Sequence, residues 1–84
     1  MDSVEVVYTE GAARVLRGMG EEMQDGFRKH VEKFATEIVW GDPSIMENLG
    51  KSGQGNWGGG CTFRALPAFD HGLKLVIITA MDRH

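Results

Sequence analysis

The residues best suited to chemistry lie in the second half of the chain: Lys51, Arg64, His71, Lys74, Arg83 and His84, with Trp57 among them. Lysine and arginine neutralise phosphate, histidine moves protons near neutral pH, and an indole stacks on a nucleobase. Brought to one surface, they would form an RNA-binding site. The alternative is a solvated polar face with Trp57 covering the core. Other chemistries lack their constellations. Gly53-Gln-Gly55-Asn-Trp-Gly58 spells the dinucleotide fingerprint, but that motif works between a strand and the helix that receives the pyrophosphate. Here it precedes a strand, with no acidic residue about 20 positions on. Gly50-Lys-Ser52 is the tail of a phosphate-binding loop whose first glycine would fall at Ile45. His30, His71, His84 and Cys61 have no metal-ligand spacing. Ser3, Ser44 and Ser52 sit in loops or caps without an elbow motif. The residues imply neither metal nor cofactor.

The elements that must position these groups start from the closing stretch. Leu75-Val-Ile-Ile78 is four consecutive large apolar residues, which predicts a central strand covered on both faces. It runs out into Asp82, Arg83 and His84, and so delivers charge to one rim. Val4-Glu-Val-Val-Tyr8 alternates as a first strand. Thr9 supplies an N-cap, and Ala12, Val15, Leu16 and Met19 recur at helical spacing until Gly18-Met-Gly20. Met23, Phe27, Val31, Phe34 and Ile38 form one face of a longer second helix. Asp25–Lys29 and Arg28–Glu32 stand on its solvent side at i,i+4. Gly26 is expected to let the first helix approach, and His30 borders the apolar stripe. Asp42 and Pro43 start a short third helix through Leu49. Residues 53–60, five of eight glycine, read as a flexible loop. Strand alternation resumes at Cys61, with Cys61, Phe63 and Ala65 on one face and Thr62, Arg64 and Leu66 on the other. Pro67 marks an edge or bulge, and Asp70-His-Gly72 reads as a three-residue hairpin turn. The order β-α-α-(α)-β-β predicts an α+β fold: a small sheet of about three to four strands with two main helices on one face.

The chain has 84 residues, 42% of them apolar and 25% charged, as expected of one globular domain spanning residues 1–84. A lone cysteine excludes an internal disulfide and fits a reducing, cytoplasmic compartment. Neither a signal peptide nor a membrane-length apolar run is apparent. A monomer or small oligomer away from membranes is expected. The net charge of −3 opposes general nucleic-acid binding. The acid, however, is concentrated in residues 1–42, at −4, while residues 43–84 carry +1.

Val4-Glu-Val-Val-Tyr-Thr-Glu-Gly-Ala-Ala-Arg-Val-Leu-Arg-Gly-Met19 resembles the opening of RelE/ParE-superfamily toxins. The long amphipathic helix, the proline, Glu47-Asn-Leu-Gly-Lys51 and an apolar last strand ending in Asp82-Arg-His84 extend the resemblance over nearly the whole chain. It implies the toxin of a type II toxin–antitoxin pair. Its partners would be a cognate antitoxin and, for a RelE-like metal-independent mRNA endoribonuclease, ribosome-bound mRNA. In that chemistry a ribose 2′-hydroxyl attacks the adjacent phosphate while basic groups neutralise developing charge. The resemblance carries Arg64, Arg83 and His84 over as catalytic, with Arg64 clamping phosphate and His84 transferring the proton. Lys51 is carried over at the rim, and Trp57, Lys74 and His71 would then contact RNA. The chain departs from the family in two ways. Two arginine-bearing strands usually precede the last one, and here only Arg64 stands for them. Ribosome-directed members are also basic, whereas this chain is acidic. Both departures strengthen the alternatives, a ParE-like gyrase inhibitor or a non-catalytic protein-binding module of a mobile element on the same fold, and leave RelE-like cleavage as the expectation by a narrow margin.

Overall fold

The computed structural model describes residues 4–41, 54–58 and 60–83. The expected third helix, Lys51 and His84 lie outside the described residues. Val4–Tyr8 forms β1, Glu10–Arg17 α1, Glu21–Phe34 α2, Gln54–Trp57 β2, Cys61–Asp70 β3 and Leu73–Arg83 β4. The four strands make one sheet in the order β1-β4-β3-β2. β1 runs parallel to β4, and the other pairs are antiparallel. This is an α+β fold with the closing strand at its centre, as its apolar run predicts. The expected flexible loop instead contains β2, because Gly55 can lie directly beneath the Phe63 ring where a Cβ would collide.

Thr9 joins the first two elements. Its hydroxyl accepts from the Ala12 N–H at 3.3 Å and caps α1, while lying 3.3 and 3.2 Å from the carbonyls of Ile78 and Thr79 on β4. Ala12, Leu16 and Met19 are buried. From α2, Phe27 and Val31 are fully buried and Phe34 half-buried. Phe27 meets Trp57 and Phe63 edge-on at 5.6 and 5.5 Å. His30 is half-buried with its ring 6.1 Å from Phe63, the boundary position its spacing predicts. Gly26 makes room for Trp57, whose ring would lie 3.2 Å from an added Cβ; the expected neighbour was α1. After Phe34 the helix widens into a π-helical turn over Ala35–Val39, closed by the Trp40 N–H on the Ala35 carbonyl at 3.0 Å. The wider turn buries Ala35 and Val39 beside Ile38 of the predicted stripe.

The β3–β4 hairpin is tighter than the sequence suggests. Asp70 pairs with Leu73, so the loop is only His71 and Gly72, both at positive φ (48° and 80°). Two such residues match the twist of the flanking strands. The register shifts between Arg64 and Ala65, where Arg64 pairs with Ala80 but Ala65 with Ile78. Thr79 is the extra residue, and this bulge lets both Ile78 and Met81 face the helices. β2 pairs with β3 only as far as Arg64. Pro67 therefore lies in the half of β3 beyond its β2 pairing, where its missing N–H breaks no ladder with β2.

The helices and their π turn bury Val76, Ile78 and Met81, but Leu75 and Ile77 on the opposite face remain half-exposed. Among the described residues, then, the central strand is covered on one face, not on two. Its other face shares an aliphatic surface with Val7, Leu66 and Leu73, which are 40%, 39% and 51% exposed.

Candidate functional site

Side chains of Cα-paired residues share a sheet face, so strand register decides which basic groups can meet. Arg64 pairs with Ala80, and Thr62 with Asp82. All four belong to the open face. Together with Phe63 and Met81 they border a hollow of about 120 Å³. Arg64 is exposed there, and its carbonyl accepts from the Thr79 hydroxyl at the bulge, 3.5 Å away. Guanidinium, hydroxyl and carboxylate thus meet in one small hollow, a set that can orient a phosphate or a polar protein group. Thr62 follows from the alternation that places it with Arg64. Asp82 does not, because its face depends on the bulge.

Arg83 pairs with buried Cys61 and so belongs to the helix face. Its guanidinium donates to the Gly18 carbonyl at the end of α1, 3.3 Å away. Arg64 and Arg83 therefore leave the sheet on opposite sides. The Cys61 thiol is pushed above its ordinary 9.0 by burial, against weaker pulls from a backbone hydrogen bond at Asp82 and the charge of Arg83. A buried thiol held protonated is a core group and not a nucleophile.

The other candidates among the described residues do not line the hollow. Trp57 is half-buried, with its ring against Gly26 and Phe27. His71 lies in the hairpin turn at 3.4 Å from Asp70, a pair open to water. The Lys74 ammonium lies over the Trp40 ring at 5.6 Å. Lys74 is six residues along β4 from Ala80, a span of about 20 Å. Among the described residues no three His, Cys, Asp or Glu side chains gather as a metal-binding group. None of their helices is long and apolar enough to cross a membrane.

A larger groove, of about 420 Å³, runs along β1 on the helix side. Val4, Glu5, Val6 and Tyr8 line it from the strand, and Arg28, Glu32 and Thr36 line it from α2 and the π turn. Arg28 sits 5.6 Å above the Tyr8 ring. The Tyr8 phenol is raised above its ordinary 10.0, chiefly by burial, with Arg28 lowering it and Glu32 raising it. In sequence Arg28 and Glu32 read only as a solvent-side pair, yet among the described residues no ion pair joins them. Their relation to β1 required the fold. Comparison of the chain with family models, curated proteins and solved structures finds no match.

Proposed function

We propose that the chain is a RelE/ParE-like toxin domain that acts by binding a protein target, with a cognate antitoxin as its natural partner. The observation that carries the binding mode is the divergence of Arg64 and Arg83 to opposite faces of the sheet. Phosphate cleavage needs its cationic groups around one scissile bond. What the open face offers instead is an aliphatic surface of Val7, Leu66, Leu73, Leu75 and Ile77, the kind of exposed patch used to recognise proteins. The toxin reading rests on the resemblance and on an element order that agrees with it: one strand, two helices, then three antiparallel strands. β2 supplies the strand that sequence alone left missing, although Gln54, Gly55, Asn56 and Trp57 include no arginine. A second reading, RelE-like mRNA cleavage, draws on Arg64 beside Thr62 and Asp82 in the hollow.

Induced expression in a bacterial host separates the two. The binding mode predicts growth arrest with intact mRNA that survives Arg64→Ala and Arg83→Ala. That arrest should be lost when Leu66 and Leu73 are both changed to Glu. Cleaved mRNA, with arrest relieved by Arg64→Ala, would establish the ribonuclease instead. Absence of arrest from the wild-type chain would sink the toxin reading.

A further inference from the structure

Among the described residues β1 stands at the end of the sheet with β4 as its one neighbour. A row of its N–H and C=O groups therefore points away from the sheet. Natural edge strands are normally protected by lysine, proline or a bulge. Val4-Glu-Val-Val-Tyr8 has none of these three, Glu5 is its one charge, and its register with β4 is unbroken. Beside this edge lies the 420 Å³ groove, and on its wall Val4, Val6 and Tyr8 are only half-buried. An added strand would complete the backbone pairing and fill the groove with its own side chains.

We propose that the occupant is a second copy of this chain, with the two β1 strands pairing antiparallel about a two-fold axis to form a continuous eight-stranded sheet. Charge complementarity selects this occupant. Tyr8 lies beside Phe27 and Arg28, whereas the start of β1 faces Thr36 and the π turn, so α2 runs antiparallel to the strand. Two residues down the strand, from Tyr8 to Val6, is about 6.6 Å, and four residues along the helix, from Arg28 to Glu32, is about 6 Å. Val6 is therefore level with Glu32. A register that sets Tyr8 opposite Val6 of the second copy brings Arg28 level with the second copy's Glu32. The two-fold axis makes the same pair again in reverse. Both side chains are exposed, and among the described residues the groove they line holds no other charged group than Glu5. A foreign strand would have to bring both charges at this spacing, which the chain already carries.

Light scattering of the purified chain across a concentration series tests the proposal. The expected species has twice the 9.3 kDa chain mass. Arg28→Glu and Glu32→Arg should each weaken dimerisation at least about tenfold by opposing like charges across the axis. An equimolar mixture of the two variants should recover the dimer, since every facing pair is again of opposite sign. That recovery also excludes misfolding as the cause of the loss. A monomer at all concentrations would overturn the proposal and leave the edge to a strand of another protein. So would a dimer indifferent to both reversals, or variants that stay weakened when mixed.

Discussion

Gly55 shows how one missing side chain decides an element. It is buried on β2 under the aromatic face of Phe63. Phe63 is itself held edge-on by Phe27 and Phe34, at 5.5 and 5.3 Å. The ring has neighbours on several sides and little room to retreat. Gly55→Ala should therefore destabilise the fold by about 1–3 kcal/mol, the usual penalty of forcing an atom into a filled core. Urea denaturation checks this, and an unchanged midpoint would mean that the ring yields. Gly26 is the gentler case, since its closest neighbour is the outer edge of Trp57 at 3.2 Å and not a ring face. Read in sequence, residues 53–60 are simply glycine-rich. The need for glycine at residue 55 comes from Phe63, eight positions away and on another strand, so no local pattern announces it.

At the scale of elements, the β3–β4 hairpin is the most local unit and the most open to improvement. Its two loop residues both hold positive φ, and His71 pays a conformational cost that asparagine would reduce. His71→Asn should raise the denaturation midpoint, whereas Gly72→Ala should cost about 1 kcal/mol through backbone conformation alone. Nothing lies within 4 Å of the Cβ that the second change adds, so a steric clash does not contribute. Equal stability of the two variants would contradict this account of the turn. The element order was largely legible because its signals are local: the Thr9 cap, the stripe from Met23 to Ile38, and the alternation from Cys61 to Ala65. The turn length, the π turn and the bulge at Thr79 were not. Each is a one-residue adjustment that brings distant side chains into register, and periodicity does not encode such adjustments. The site suffered most from this. Alternation joined Arg64 to Thr62, but the face taken by Arg83 depends on the bulge.

For the whole molecule, two protonated groups couple stability to alkaline pH. Burial raises both the Cys61 thiol and the Tyr8 phenol above their ordinary 9.0 and 10.0. A raised folded-state pKa means that the folded chain keeps a proton the unfolded chain releases. Its contribution is complete below the unfolded value and disappears as pH climbs through the folded one. The urea midpoint should thus begin to fall near pH 9 and fall further above pH 10. Tyr8→Phe should flatten the upper part of that decline, and Cys61→Ala the lower part. A midpoint that rises over this range would refute the assignment. The parallel pairing of β1 with β4 has a consequence for the order of synthesis. Thr9 and the Thr79 carbonyl it meets are 70 residues apart, a delay of roughly 4–14 s at ordinary translation rates. During that interval β1 exists without its native neighbour β4, and the centre of the sheet has not been made. Whatever this surface does, it can begin only after nearly all of these residues have been made.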